Sequence, residues 1–134
     1  MQSPSQPLLP SKAGDVLNWR KLHGASSSYT VAELARQKGP IVYVCSEAQH
    51  MGFVAKELAF FLDNDAPIFT FPDWECLPYD RVSPHPDIVS QRLLALHRLP
   101  QLEKGILIIP ITALMQRLAP RNYINAHTFN LQKN

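Results

Sequence analysis

The sequence predicts an α/β fold: a mostly parallel sheet flanked by helices. Ile41-Val42-Tyr43-Val44-Cys45 and Ile106-Leu107-Ile108-Ile109 are continuous apolar runs of strand length. Runs of this kind suit strands buried on both faces of a parallel sheet. Segments with apolar residues at helical spacing alternate with them, as parallel sheets with right-handed crossovers require. The 12 Pro set fixed, non-helical connections, and the 5 Gly leave little material for a glycine-rich phosphate loop.

Residues 1–14 read as a flexible Pro/Ser lead-in, without the basic and apolar regions of a signal peptide. Residues 15–22 (DVLNWRKL) predict a short helix packed through Val16, Leu17 and Trp19. A small-residue break follows, from His23 to Ser28. Thr30 and Glu33 fit a capping box, Val31, Leu34 and Ala35 supply the buried face, and Gly39-Pro40 stops the helix. Beyond the first strand, Ser46 and Gln49 fit a second capping box for a helix over 47–63. Met51, Val54, Ala55, Leu58, Phe61 and Leu62 share one stripe of it, and Asn64-Asp65 ends it. Ile68-Phe69-Thr70-Phe71 predicts a second strand. Residues 72–86 predict an irregular loop held by Pro72, Pro78, Pro84 and Pro86. Asp87 caps a helix over 88–98 with Val89, Leu93 and Leu96 inward. Gly105 precedes the third strand, and Ile111, Leu114, Met115 and Leu118 mark a helix ending near Pro120. Thr128-Phe129-Asn130-Leu131 predicts a last strand.

The length of 134 residues predicts one domain, over 15–134, large enough to bury a core without staples. Apolar residues at 46% and charged residues at 18% exclude a disordered tail. The net charge of +2 does not by itself imply a nucleic-acid or membrane surface. No apolar run approaches the roughly 20 residues of a bilayer span. Cys45 and Cys76 lack metal-ligand spacing and read as reduced thiols of a cytoplasmic protein.

In a parallel sheet, ligands bind at the carboxyl ends of the strands. The stretch from Lys21 to Ser28 stands where a phosphate loop, GxxxxGK[ST], would precede a helix. Lys21 replaces the first glycine, Ser26 the second, and Ser27 the lysine. Only Gly24 and the Ser28 hydroxyl suit the old role, so a plain helix-entry turn is the better reading, with weak anion binding at the helix start as the alternative. His23, His50, His85, His97 and His127 are scattered, and no metal site is predicted. No catalytic set is predicted either. Asp73, Glu75, Asp80 and Asp87 are interleaved with Pro, Trp and Tyr and read as a solvated loop face. Cys76 has no base beside it. The aromatic loop carries more. Trp74, Leu77 and Tyr79, with Arg81, His85, Gln91 and Arg92, have the composition of a binding hot spot. The same groups also serve to seal the loop onto its own core, and stacking on nucleic acid is a third use.

FPDWECLPYDRVSPHPDIVSQRL, then KGILIIPITALMQRLAP, closely resembles the amino-terminal domain of bacterial transcription-repair coupling factors (Mfd), and GPIVYVCSEAQHMGFVAKELAFFL fits the same family segment. The long runs are Asp73 to Asp80 and Ser83 to Leu93. The resemblance implies a UvrB-like subdomain of a much larger protein. Its fold would be a P-loop or helicase-like half-core with a degenerate nucleotide loop at Gly24, Ser26, Ser27 and Ser28. The family displaces RNA polymerase stalled at DNA lesions and recruits UvrA for nucleotide excision repair. The resemblance places the ATP and Mg²⁺ site, the double-stranded DNA contacts and the polymerase contacts in other domains, and most of the UvrA contact in the adjoining one. It leaves this segment a non-catalytic scaffold that packs on the rest of its own polypeptide, with no cofactor and no membrane contact. Trp74, Tyr79, Asp80, Arg81, His85, Asp87 and Arg92 are the expected interaction or loop-anchoring residues.

Overall fold

The computed structural model describes residues 8–76 and 81–127. Helix α1 (Ser26–Gln37) leads into β1 (Ile41–Cys45), α2 (Ala48–Leu62) and β2 (Ile68–Thr70). Helix α3 (Pro86–Arg98), one 3₁₀ turn (Leu99–Gln101), β3 (Ile106–Pro110), α4 (Ile111–Leu114) and α5 (Arg121–His127) follow. The three strands form one parallel sheet in the order β1-β3-β2. Ile41 pairs with Ile106, and Ile68 pairs with Ile106 from the other side. The α/β class and the parallel sheet therefore stand as the sequence predicts.

Side-chain alternation divides the core by sheet face. Ile106 and Ile108 join Cys45 on the face covered by α1 and α2, against Val31, Ala35, Val54, Leu58 and Leu62. Leu107 and Ile109 point the other way, onto Phe71, Ala95 and Ala113, with Leu96 and Leu99 packed alongside. The central strand β3 is buried along its whole length. Burying each of its large aliphatic side chains stabilises the fold by about 1.5–3 kcal/mol. The stripe read on α2 faces the core as expected, and left-handed Asp63 and Asn64 close that helix.

Several expectations need correction. Residues 15–22 form no helix: Lys21 takes a positive φ of 61°, which a helix cannot hold, although Trp19 still packs on the core. Helix α1 begins at Ser26, four residues before the predicted box, and Ala25 caps it without a side-chain bond. Thr30 sits inside the helix, its hydroxyl donating to the Ser26 carbonyl at 2.7 Å, and Glu33 pairs with Arg36 instead of capping. Helix α2 is capped by Glu47 with no side-chain bond, so the Ser46–Gln49 box does not form. His85, not Asp87, caps α3: its Nδ1 accepts the Asp87 N–H at 3.2 Å. The inward stripe of α3 is Ile88, Arg92 and Ala95, because an arginine takes the place that an apolar residue was expected to hold.

Strand β1 is not covered on both faces. It is an edge strand, and Val42 and Val44 are exposed. The helix expected through Leu118 is a single turn, and Ile111, Leu114, Met115 and Leu118 face outward while Ala113 faces the core. Helix α5 was not expected; Ile124 buries it against α3. The predicted strand at 128–131 lies outside the described residues. No helix among the described residues is long and apolar enough to cross a membrane.

Candidate functional site

Past β2 the chain crosses the carboxyl ends of the strands, where parallel sheets place their sites. The Phe71 N–H donates to the Ile108 carbonyl at 2.9 Å, which carries the pairing one residue beyond β2. There the loop meets Arg92 of α3, only 3% exposed. The guanidinium lies 4.1 Å from the Phe71 ring centroid and 3.9 Å from that of Trp74, and its Nη1 donates to the Pro72 carbonyl at 2.6 Å. A desolvated cation–π contact stabilises by up to about 2 kcal/mol, and the planar guanidinium fits between two rings as an ammonium cannot. Burial lowers the Arg92 pKa, and the nearby Asp73 carboxylate opposes that shift.

Asp73 ties the loop to the segment after α4. Its Oδ1 accepts from the Trp74 N–H at 2.7 Å and from Gln116 Nε2 at 2.6 Å. A hydrogen bond from Thr112 is the main cause that lowers its pKa; burial acts the other way, and the Gln116 and Trp74 bonds and the Arg92 charge reinforce the lowering. A carboxyl group with a lowered folded pKa stabilises the fold above the ordinary aspartate value of about 3.9. That contribution is lost as pH falls through the folded value. Urea denaturation of wild type and Asp73→Asn should therefore differ at about pH 7, with the gap shrinking as pH falls below the ordinary aspartate value. A gap that stayed constant with pH would show that the Asp73 charge contributes nothing.

Of the residues singled out in the sequence, Trp74 and Arg92 come together, with Trp74 partly buried against the guanidinium. His85 and Asp87 sit side by side at the start of α3, 3.5 Å apart and exposed. Arg81 is exposed and takes no part in the cluster around Arg92. Tyr79 and Asp80, with Leu77, lie outside the described residues. Asp73 is no solvated acid: it is a bonded part of the anchor. Sequence reasoning missed Gln116 and Phe71 as partners, and no local spacing links residues so far apart in the chain.

At the start of α1, Gly24 takes φ 56°, and Ser26 donates through both N–H and hydroxyl to the His23 carbonyl, at 3.2 and 2.7 Å. Ser28 is buried and its hydroxyl donates to Glu57 Oε2 at 2.5 Å. Burial raises the Tyr43 pKa, with Cys45 and Glu57 adding to the shift, and burial also raises that of the Cys45 thiol. Among the described residues, no three His, Cys, Asp or Glu side chains converge to hold a metal ion.

The fold is a small parallel α/β module with helices on both sheet faces, and its most developed side-chain cluster anchors a loop. No protein-family model matches the chain. It is 39% identical over 126 residues, 93% of its length, to a transcription-repair-coupling factor of Escherichia coli (strain K12). A Haemophilus influenzae relative of the same name is 33% identical over 132 residues, 96% of the chain, and a Myxococcus xanthus relative is 32% identical over 116 residues, 81% of the chain. The chain belongs to the transcription-repair-coupling factor family. It spans only 10–11% of the length of these relatives.

Proposed function

We propose that the chain is the amino-terminal, UvrB-like module of a transcription-repair-coupling factor and acts as a non-catalytic scaffold and interaction domain. The parent protein, on this reading, is cytoplasmic, displaces RNA polymerase stalled at DNA lesions and brings UvrA to the site. Its motor domains bind ATP and Mg²⁺ and move on double-stranded DNA. This module supports the neighbouring domain that makes most of the UvrA contact. Near-complete coverage by relatives of that name supports the parentage.

The observation that carries the non-catalytic reading is the Ser28–Glu57 bond. In the phosphate-loop alignment, Ser28 offers the hydroxyl suited to hold Mg²⁺. Here that hydroxyl is buried and donates to a carboxylate. Ser27 replaces the lysine. Losing a charge-assisted contact to phosphate removes about 1.5–3 kcal/mol of binding. The loop is thus a degenerate remnant in a helicase-like half-core, and the anchored loop around Trp74 and Arg92 is the feature kept for contacts. Isothermal titration of the chain with ATP and Mg²⁺ is the test: no binding is expected.

A further inference from the structure

Helix α3 opens on a cap that can take up a proton. Ser, Thr, Asp and Asn are the usual caps, and none of them ordinarily changes charge between about pH 5 and 8, where histidine does. Here the cap is His85, and one residue serves the whole first turn. Pro86 has no N–H. Asp87 donates its N–H to His85 Nδ1 at 3.2 Å, and Ile88 and Val89 donate to the His85 carbonyl at 3.0 and 3.3 Å. The Asp87 carboxylate stands 3.5 Å from the same Nδ1. A bare Nδ1 accepts from the amide, whereas a protonated one is a donor and turns to the carboxylate. Among the described residues, no other charged side chain forms an ion pair with His85. Arg81 is exposed on the preceding segment, Arg92 and Asp73 are engaged with the loop, and β2 carries no charged residue. Arg121 of α5 lies by the other end of α3, beside His97 and Gln101.

We propose that His85 is a proton-sensitive cap of α3: the neutral imidazole closes the first turn, and a proton on Nδ1 opens it. The stability that the cap contributes is present while the imidazole is neutral and is lost as it takes up a proton. The positive end of the helix dipole opposes a cation at this place. The Asp87 carboxylate offsets only part of the loss, because side chains 68% and 81% exposed gain little from an ion pair. Ile88, in the turn that opens, is buried, and Arg92 follows one turn later, so a looser start to α3 reaches the residue that anchors the loop. The proposal rests on the start of α3 alone and stands or falls apart from the scaffold reading.

Thermal melts at about pH 8 and about pH 5 test it, on the chain as wild type, His85→Asn and Asp87→Asn. Asparagine accepts from the amide at both pH values and takes up no proton, so His85→Asn is the reference for everything else in the chain that titrates, the other histidines included. At the higher pH, His85→Asn should melt with the wild type. At the lower pH, the wild type should melt about 2–4 °C below it. Asp87→Asn should lose more than the wild type between the two pH values, since its protonated imidazole has no carboxylate to meet. Amide NMR reads the cap itself: the Asp87 N–H resonance should move together with the His85 ring resonances in the wild type and stay in place in His85→Asn. Equal losses for wild type and His85→Asn would overturn the proposal. So would a smaller loss for the wild type, which would make the protonated pair the better cap, or an Asp87 amide that ignores the titration of His85.

Discussion

Arg92→Ala should lower the melting temperature by roughly 10–20 °C, read by circular dichroism. Three losses coincide at this residue. The Pro72 carbonyl loses its 2.6 Å donor. Phe71 and Trp74 lose the cation between their rings. The Asp73 carboxylate loses a buried positive neighbour. Leaving a buried carbonyl without its charged donor and losing two desolvated cation–π contacts together cost about 3–5 kcal/mol. Each kcal/mol shifts the melting point of a domain of this size by about 2–8 °C. Arg92→Lys keeps the charge but not the flat surface that fills the space between the rings, so it should fall between wild type and alanine. A drop of under about 3 °C for alanine would mean that the loop is held by something other than Arg92.

Gly105→Ala should destabilise by a comparable amount, about 2–5 kcal/mol from left-handed strain and overpacking together. Gly105 has φ 138°, and a Cβ there would stand 2.7 Å from the Pro67 carbonyl oxygen. Neither backbone can move freely. The Gly105 carbonyl accepts the Ile41 N–H at 2.9 Å, and the Pro67 carbonyl accepts the Ile106 N–H at 2.9 Å. The residue therefore sits where all three strands start, and relief at one contact stretches another. Gly52 is the control: it lies on the exposed side of α2 with open space around it. Gly52→Ala should stabilise by about 0.5–1 kcal/mol, since alanine is the better helix former. Equal effects at the two glycines would contradict the packing described at the strand starts.

The regular parts of this fold were legible because apolar runs and helical stripes extend over many residues. Ile106 to Ile109 reads as a buried strand and is one, and the α2 stripe from Met51 to Leu62 reads as a core face and is one. Helix ends were legible less often, because a capping box describes one local hydrogen-bond option and tertiary contacts chose others. Thr30 is a helix-interior residue here, and the cap of α3 is a histidine. The stripe of Ile111, Leu114, Met115 and Leu118 shows the limit of periodicity: spacing tells which residues share a face, not which body that face meets. Arg92 was read both as polar reach for a binding loop and as a loop anchor, and it lies buried against Phe71 and Trp74. Composition left both uses open, because the contacts of Arg92 with Phe71 and Pro72, and the Asp73–Gln116 bond beside it, join residues far apart in the chain.

Isothermal titration of the chain with ATP and Mg²⁺ tests the central claim most directly, with a nucleotide-turnover assay on the same sample. The scaffold reading predicts no binding heat and no hydrolysis from a cooperatively folded chain, because Ser28 is bonded to Glu57 and no lysine stands at Ser27. Micromolar affinity or measurable turnover would contradict it.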